Sequence, residues 1–492
     1  MARLIGLDIG TSSVKGIAID ETGAVLGIAE RAHPLATPRP GWAEQDPEDW
    51  WAGAQAVLAE LDCGQADAIG LAGQMHGLVA LDAAGAVVRP AILWNDGRTQ
   101  AQCAEIEQRV GLDRLIALTG NRALAGFTAP KLLWLREHEP DSYAQIRHVL
   151  LPKDEVRRRL LGGELAMDVS DASGTLLFDV AARAFSGEVC DALGIEAAWL
   201  PDVLESGALA GHLAVGPRGS ACSGSGQRAI PVAAGAGDQA AGALGVGVVR
   251  AGGAASIVLG TSGVVFAAQD AFAADPQARV HAFCHSVPGA WHAMGVMLSA
   301  AGSLRWLRDA VGGTYAELLD AAARWEPGAE GLLFAPYLAG ERTPYPDAEA
   351  RGGFVGLGLR HDRGALTRAV LEGVAFGLAD GLDLVSDLAG RPSVGRVSGG
   401  GARSDLWLEI VASVLDLPLE VVAVDEGAAF GGALLGGVAA GVFASATEAA
   451  EMCVRVERMV APRPEWVERY AALRPAFRAT WPALQGVRAV MP

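Results

Sequence analysis

Lysine, paired cysteines and long apolar segments are scarce in this 492-residue chain. Only three lysines occur, and we attach no mechanism to that imbalance. The six cysteines are scattered without Cys-x-x-Cys spacing, which indicates neither a zinc site nor a disulfide framework and favours reduced thiols. Residues 427–446 are uncharged, but alanine and glycine dominate them. We therefore expect a buried, closely packed helix there rather than a membrane span.

Motifs that identify several other enzyme classes are missing. No Gly-x-x-x-x-Gly-Lys-Ser/Thr sequence appears, which excludes a P-loop enzyme. No complete Gly-x-Gly-x-x-Gly follows a predicted strand, and neither His-Glu-x-x-His nor Gly-x-Ser-x-Gly is present. The formal charge of −18 disfavours nucleic acids and membranes as partners. An anionic ligand must therefore be held locally, by backbone amides, a metal ion or single cations.

The length and the N-terminus bound the organisation of the chain. One hydrophobic core rarely supports this length, so two domains are expected. A seam at residues 249–253 divides the predicted N-terminal domain, residues 1–248, from the C-terminal domain, residues 249–492. Met1 is followed almost directly by the first apolar run, without a secretory signal, so we expect a cytoplasmic protein.

The N-terminal residues predict a strand, a tight polar turn and a second strand. Residues 4–9 are apolar except for Asp8, Gly10-Thr11-Ser12-Ser13 turns the chain, and residues 14–19 are again β-type. Glycine lets the backbone approach a ligand closely, and the amides and hydroxyls of the turn can donate to phosphate oxygens. Asp8, at the end of the strand, is suited to hold Mg²⁺ beside them. An ordinary hairpin is the alternative.

The same pattern recurs in the second half. Residues 255–263 read Ala-Ser-Ile-Val-Leu-Gly-Thr-Ser-Gly, which places Gly260 and Thr261 in a second polar turn after an apolar strand. Two such turns suggest two related domains that face one nucleotide. Elsewhere, residues 24–29 predict a third strand, Asp46-Pro47 predicts a helix start, and residues 99–161 are mostly helical in pattern.

Asp238 is the strongest single candidate for catalysis. It follows a strand of small residues and is surrounded by alanine and glycine, which leaves room for a ligand. A carboxylate there could orient a substrate hydroxyl and accept its proton during phosphoryl transfer. The alternative is a structural aspartate that caps the following helix.

Three further groups are candidates for ligand contacts. In a glycine-flanked loop, His76 could bond a sugar hydroxyl while Met75 covers an apolar face of the sugar, although a structural histidine is the alternative. After Trp94, the polar residues Asn95 and Arg98 suit a polyol, and a solvated turn explains them equally well. The run Gly399-Gly400-Gly401 precedes Ser404 and a predicted helix, where bare backbone could let a nucleobase or ribose approach.

With these residues in hand, the chain resembles the FGGY family of carbohydrate kinases over nearly its full length. Residues 126–138 fit the first signature of the family, and residues 352–372 fit the second apart from one alanine. Within the family the chain looks most like the xylulokinases, because of residues 74–77 (Gln-Met-His-Gly), 90–98 and 336–344.

The resemblance implies an α/β fold of two ribonuclease-H/actin-like domains that close on the substrates. It implies ATP and Mg²⁺ as cofactors and D-xylulose as the acceptor, phosphorylated to D-xylulose 5-phosphate, and a homodimer is a further expectation. Asp238 then takes the catalytic-base position. The remaining implied positions are Met75, His76, Asp238, Gln239, Asn95 and Arg98 for the sugar; Gly10, Thr11, Ser12, Gly260, Thr261, Gly400, Gly401 and Ser404 for the nucleotide; and Asp8 and Asp238 for the metal.

Two alternatives stay open at this point. One is another pentulose or pentitol kinase of the same family, acting on ribulose or arabinitol. The other is an actin-like assembly or sensor protein, which would use the same core without transferring phosphate to a sugar. Asp238 argues against the second alternative, because a pure assembly protein needs no acceptor base.

Overall fold

The computed structural model describes residues 1–214, 222, 229–424 and 426–490. The strands of the first half are β1 Arg3–Ile9, β2 Ser13–Asp20, β3 Val25–Ala32, β4 Glu44–Gln45, β5 Ala68–Gly73, β6 Val79–Leu81, β7 Ala91–Ile92, β8 His148–Leu150, β9 Ala166–Asp168, β10 Phe178–Asp179, β11 Ala184–Phe185, β12 Asp202–Leu204, β13 Leu209–Ala214, β14 Ala229–Ala233 and β15 Ala236–Gly237. Those of the second half are β16 Ala254–Leu259, β17 Gly263–Gln269, β18 His281–Cys284, β19 Trp291–Met297, β20 Leu333–Ala335, β21 Gly353–Val355, β22 Val394–Ser398, β23 Leu419–Val422 and β24 Val456–Val460.

Helices lie between and around these strands. Those of the first half are α1 Pro47–Glu60, α2 Gln100–Val110, α3 Leu112–Thr119, α4 Thr128–His138, α5 Pro140–Gln145, α6 Pro152–Leu160, α7 Val169–Ala172, α8 Gly187–Leu193 and α9 Asp238–Gly245. Those of the second half are α10 Ala301–Val311, α11 Tyr315–Ala322, α12 Arg363–Ala389, α13 Asp405–Leu415, α14 Gly427–Ala439, α15 Ala446–Cys453 and α16 Pro464–Arg488.

Each half is built on one large mixed sheet, and the two sheets share a strand order. In the first, β3, β2, β1, β5 and β14 are neighbours, with β1–β3 antiparallel and β5 and β14 parallel to β1. In the second, β19, β17, β16, β22 and β23 repeat that order and those directions. The repeat confirms the two related domains that the Gly-Thr-Ser turns predicted, and it has the ribonuclease-H/actin-like core that the family resemblance implied.

The local predictions for the first half are confirmed. The opening meander is β1 to β3, and α1 begins after Asp46, whose side chain accepts a hydrogen bond from the amide of Glu48. Between residues 99 and 161 the chain forms α2 to α6, interrupted only by the short β8 in this described segment.

The uncharged run near the C-terminus forms the largely buried helix α14 over Gly427–Ala439, whereas residues 440–445 lie outside a helix, and α14 packs on the sheet of the first half. A Cβ atom added at Gly6 of β1 would lie 1.9 Å from the carbonyl oxygen of Ala429, and one at Gly70 of β5 would lie 1.9 Å from that of Gly432. Glycine is therefore required at these two points, where α14 touches the sheet. Among the described residues, no helix is long and apolar enough to cross a membrane.

Cys63 and Cys222 form a disulfide bond, so the expectation that all thiols are reduced is wrong for this pair. Their Cα atoms lie 5.5 Å apart although 159 residues separate them in sequence. Sequence spacing could not show this, because the fold alone brings the end of α1 beside residue 222. The other four cysteines are buried free thiols.

Candidate active site

The first Gly-Thr-Ser turn connects β1 to β2 and is held by side chains from other segments. The amide of Gly10 donates to the carbonyl oxygen of Ser13 at 3.0 Å, which closes the turn. The hydroxyl of Thr11 donates to Gln74 Oε1 at 3.1 Å and accepts from Trp94 Nε1 at 2.9 Å. This hydroxyl is thus used to fix the turn.

The side-chain amide of Gln45 supports the same turn through hydrogen bonds. Its Nε2 donates to the carbonyl oxygen of Thr11 at 2.6 Å, and its Oε1 accepts from Gln74 Nε2 and Trp50 Nε1, both at 3.0 Å. Ser12, at the tip of the turn, is exposed. The turn is therefore held rigidly while its tip faces solvent. Sequence reasoning missed Gln45 because it lies on the short strand β4, which carries no motif.

Asp8 and Asp238 meet at one edge of the first sheet. Asp8 of β1 is paired with Ala72 of β5, and Ala236 of β15 pairs with Ala72 on the other side. Because these three strands run parallel, their carboxyl ends lie together, and Asp238 begins α9 immediately after β15. The structure thus joins two residues that lie far apart in the sequence.

Both carboxyl groups have raised pKa values. Burial, together with the charge of Asp238, raises the pKa of Asp8 from 3.8 to about 7, although Lys15 acts in the opposite direction. Burial raises the pKa of Asp238 to about 6, against hydrogen bonds from Gln239. Asp8 Oδ1 is buried without a hydrogen-bond partner among the described residues. Two buried carboxyl groups with raised pKa values are typical of a functional site, where a proton or a bound cation would compensate their charge.

The alternative that Asp238 is a helix cap is not what the structure shows. Gly237 occupies the N-cap position of α9, and no side chain makes a capping hydrogen bond there. The neighbouring Gln239 is partly exposed beside Asp238. The carboxylate of Asp238 is therefore available to a ligand.

Met75 and His76 pack beside the strand that leads to Asp238. A Cβ atom at Gly237 would lie 2.8 Å from Met75 Cγ, and one at Gly174 would lie 2.6 Å from His76 Nδ1. His76 Nδ1 donates to the carbonyl oxygen of Gly174 at 2.7 Å, because a carbonyl can only accept. Burial lowers the pKa of His76 well below its usual value, so the ring is neutral. Its Nε2 is then an acceptor, as a sugar hydroxyl requires.

Lys131 holds the His76 loop through hydrogen bonds to backbone carbonyl oxygens. This fully buried lysine donates to the carbonyl oxygens of His76 at 2.8 Å and Gly126 at 2.7 Å. The backbone of His76 has a φ of 69°, in the left-handed region that non-glycine residues rarely adopt. The lysine of the first family signature thus holds a strained loop in place, a role its sequence context did not reveal.

Asn95 and Arg98, predicted together, have different surroundings. Asn95 is exposed and lines a cavity of about 490 Å³ between the two halves. The side chain of Arg98 is buried: its guanidinium pairs with Asp96 at 2.6 Å and Glu44 at 2.8 Å, and it stacks over Trp42 at 3.6 Å. The structure gives Arg98 a structural role, and its contact with a sugar stays a prediction.

The nucleotide positions predicted in the second half also meet. The carbonyl oxygen of Gly260 accepts from the amide of Ala301, the first residue of α10, at 2.7 Å, and that of Thr261 accepts from the amide of Ala300, which precedes the helix, at 2.9 Å. A Cβ atom at Gly399 would lie 3.0 Å from the amide nitrogen of Gly260, so the triple-glycine loop and the second turn are in contact. Nothing within 4 Å would meet a Cβ atom at Gly400, and Gly401 is buried behind it. Ser404 caps α13 through the amide of Trp407.

A buried ionic cluster supports the Asp238 segment and was missed from the sequence. The ammonium of Lys153 lies 2.6 Å from Asp154, 2.8 Å from Asp168 and 3.2 Å from Asp171, all fully buried. Burial alone would lower the pKa of Lys153, but these three charges raise it above its usual value. Ser170 donates to Asp168 at 2.6 Å and accepts from the amide of Gly237 at 3.1 Å. The cluster therefore reaches the residue before Asp238.

Comparison with known proteins explains this arrangement. Residues 3–245 match the N-terminal domain of the FGGY family of carbohydrate kinases, and residues 255–440 match its C-terminal domain. The chain belongs to this family. Its fold is the two-domain, actin-like fold of these kinases, and an assembly protein is not favoured.

Curated relatives and solved structures agree. The chain is 43% identical to the xylulose kinase of Escherichia coli K12 over 442 residues, which cover 89% of this chain and 90% of the relative. It is 37% identical to the xylulose kinase of Bacillus subtilis 168, covering 96% and 95%. The crystal structure of a xyloylose kinase from Brucella ovis has a TM-score of 0.91 at 40% identity, covering 99% of this chain and 100% of that one. A Plasmodium falciparum glycerol kinase with ADP, at 20% identity, has a TM-score of 0.86, covers 98% of each chain and shows the fold alone.

Proposed function

We propose that this carbohydrate kinase transfers the γ-phosphoryl group of ATP to the terminal hydroxyl of D-xylulose, giving D-xylulose 5-phosphate and ADP. The observation that carries the proposal is Asp238, a carboxylate without a capping role that lies at the sheet edge beside Asp8 and the His76 loop. The xylulose kinases among the relatives support D-xylulose as the acceptor.

Asp238 acts as the general base. It accepts the proton of the acceptor hydroxyl while the hydroxyl oxygen bonds to the γ-phosphorus and the bond to ADP breaks. With its pKa raised to about 6, this carboxylate is ionised at neutral pH but remains a better proton acceptor than an ordinary aspartate. That combination suits a base that works near pH 7.

The carboxylates of Asp8 and Asp238 fit Mg²⁺. Magnesium is usually bound by one or two carboxylates together with substrate phosphates, and Asp8 Oδ1 is a buried oxygen without a described partner. Among the described residues, no group of three or more His, Cys, Asp or Glu side chains could hold a metal by itself. Bound Mg²⁺ would neutralise charge on the ATP phosphates, and Asp8 and Asp238 would hold it.

For the sugar, we assign His76 Nε2 as an acceptor for a hydroxyl and Met75 as the apolar wall beside it. Gln239 and Asn95 are the amides that face the ligand. For the nucleotide, the amides of Thr11 and Ser12 in the first turn and those of Gly260 and Thr261 in the second would bind phosphates, while the amide of Gly10 keeps the first turn closed. Gly400 and Gly401 would lie under the adenosine, while Ser404 acts chiefly through the helix it caps.

The substrate assignment is tested by measuring ADP release with a panel of acceptors. We expect D-xylulose to give the highest kcat/KM, with D-ribulose, arabinitol, glycerol and gluconate well below it. A clear preference for glycerol or gluconate would contradict the assignment, and a preference for ribulose or arabinitol would move it to a neighbouring specificity within the family. Light scattering with ATP serves as the control for assembly.

We also propose that the enzyme is cytoplasmic and forms a homodimer. Sedimentation equilibrium of the purified full-length chain tests the second statement, and a monomer across the micromolar range would contradict it. Cell fractionation tests the first.

A further inference from the structure

Arg342 lies in the cavity between the two halves and has no side-chain partner among the described residues. The cavity of about 490 Å³ is lined by Arg342 and His281 from the second half and by Asn95 and Trp94 from the first. Arg342 is partly buried, and burial lowers the pKa of its guanidinium although Glu341 acts in the opposite direction. A larger cavity, of about 840 Å³, lies wholly in the second half and contains none of the predicted site residues.

The other cations at or near this cavity are all engaged. Arg122 pairs with Glu107 at 3.2 Å, Arg279 pairs with Asp275 at 2.9 Å, and Lys131 donates to backbone carbonyls. The charges of Arg122 and Arg279 are already compensated by their carboxylates, and the ammonium of Lys131 is directed at backbone carbonyl oxygens. In the described lining of the cavity, Arg342 is the cation that remains available.

The backbone that carries Arg342 is fixed on both sides. Glu341 Oε1 accepts from the amide of Leu298 at 2.9 Å and from that of Arg342 at 2.8 Å. Thr343 exchanges backbone and side-chain hydrogen bonds with Val296 of β19, at 3.0 and 3.1 Å. Burial raises the pKa of Glu341 to about 8, so this neighbour offers little negative charge near pH 7. A guanidinium on a fixed segment of backbone, without a counter-charge, is suited to bind an anion.

Arg342 shares its cavity with Asn95 of the predicted sugar site, and the segment that holds its backbone also contacts the second phosphate turn. Leu298, which anchors Glu341, closely precedes Ala300, and the amide of Ala300 donates to Thr261 in the second phosphate turn at 2.9 Å. On the other side, the charge of Arg342 contributes to the lowered pKa values of His281 and His76. Arg342 thus lies in the cavity between the two halves, on a segment linked to the second phosphate turn, and its charge acts on His281 and His76.

We propose that Arg342 binds the oxygens of the phosphoryl group while it is transferred and on the phosphorylated product. This proposal rests on the proposed kinase function and adds a residue to it. Negative charge spreads over the phosphoryl oxygens during transfer, and a planar guanidinium matches them with two parallel hydrogen bonds. In a chain of formal charge −18, such a cation is needed locally.

The test compares Arg342→Met, Arg342→Lys and the control Arg122→Met in the full-length enzyme. Arg122 lines the same cavity but is paired with Glu107, so its replacement should leave kcat within about twofold. We expect Arg342→Met to lower kcat by roughly 10²–10³-fold, as for other removed transition-state donors. Arg342→Lys should recover at least about tenfold of that loss, because lysine keeps the positive charge but lacks the planar guanidinium that donates two parallel hydrogen bonds.

Calorimetric titrations separate a phosphate contact from a sugar contact. In Arg342→Met, the Kd of D-xylulose 5-phosphate should rise at least about tenfold, while that of D-xylulose stays within about threefold. Equal losses for both ligands, or a normal kcat, would overturn the proposal. If Arg342→Met does not fold, the same Kd and kcat measurements are made on Arg342→Lys and Arg342→Gln.

If the wild type prefers another sugar, the substrate assignment fails. The role of Arg342 is then tested with that sugar and with its phosphate ester.

Discussion

Replacing Asp238 by asparagine separates a catalytic base from a structural aspartate. The amide is nearly isosteric with the carboxylate, so the start of α9 and the contact between Gly237 and Met75 should survive. The amide cannot accept the proton of the acceptor hydroxyl, and it is a weaker ligand for Mg²⁺. The substitution therefore removes the proton acceptor and weakens metal binding, while the size and shape of the side chain are kept.

The expected loss follows from general-base catalysis. Removing a positioned base typically costs about 10²–10⁴-fold, or roughly 3–5 kcal/mol of barrier, and we expect kcat to fall by that factor. The Kd of the sugar should change by less than about tenfold, or ~1.4 kcal/mol. A coupled assay of ADP release gives kcat, and calorimetry gives the Kd.

Stability gives an independent readout with a defined sign. Because the pKa of Asp238 is raised from 3.8 to about 6 in the fold, the folded state binds more protons than the unfolded state between these values. The stability of the wild type therefore falls as pH rises through this window. The asparagine of the variant does not titrate, so the variant should be more stable than the wild type above pH 6, by about 1–3 kcal/mol in the metal-free protein, with the gain absent below about pH 4.

The control is Asp46→Asn, which keeps the cap of α1 because asparagine caps a helix about as well as aspartate. Both its kcat and its melting temperature should match the wild type. Near-normal turnover of Asp238→Asn would remove Asp238 from the mechanism. If the stability of Asp238→Asn depends on pH in the same way as that of the wild type, burial does not raise the pKa of Asp238, even if activity is lost.

Three further outcomes are expected. Asp8→Ala should shift magnesium activation of turnover to higher concentrations while leaving the D-xylulose Kd largely intact, and a magnesium titration that matches the wild type would exclude Asp8 as a metal ligand. D-Xylulose and an ATP analogue together should reduce the radius of gyration in small-angle scattering, because the two halves must close to exclude water, and an unchanged radius would count against closure. Lys153→Met should lower the free energy of unfolding by about 3–5 kcal/mol, since among the described residues it leaves buried Asp168 and Asp171 without an ion-pair partner and Asp154 with Arg157 alone, whereas Lys15→Met, at a partly exposed pair with Glu426, should cost less than about 1 kcal/mol in the same urea titration.

The sequence predicted the elements whose signals are local. The meander β1 to β3, the cap at Asp46 and both Gly-Thr-Ser turns each rest on a few consecutive residues, and all were confirmed. The repeat of those turns was enough to predict the two related sheets. The glycines of α14 predicted close packing, but not that the helix would lie on the sheet of the first half.

Side-chain direction and long-range pairing could not be predicted in this way. Arg98 follows a tryptophan in a polar turn, yet its guanidinium folds back onto Asp96 and Glu44 and stacks on Trp42. The Lys153 cluster was missed because charged residues are normally exposed, and only the fold shows that these are not. The disulfide was missed for the same kind of reason, since the 159-residue separation of its cysteines carries no signal.

The electrostatics of the sheet edge connect closure with metal binding. The two carboxylates lie at the carboxyl ends of β1 and β15, the strands on either side of β5, and the pKa of Asp8 is raised by burial and by the charge of Asp238. Their repulsion and desolvation oppose folding, and the closely packed α14 and the Lys153 cluster hold the strands together against it. A divalent cation held there with substrate phosphates would offset that repulsion and give Asp8 Oδ1 a partner. Substrate-loaded enzyme should therefore gain both stability and compactness, and each gain should be smaller in Asp8→Ala, which keeps only the part that does not depend on the metal.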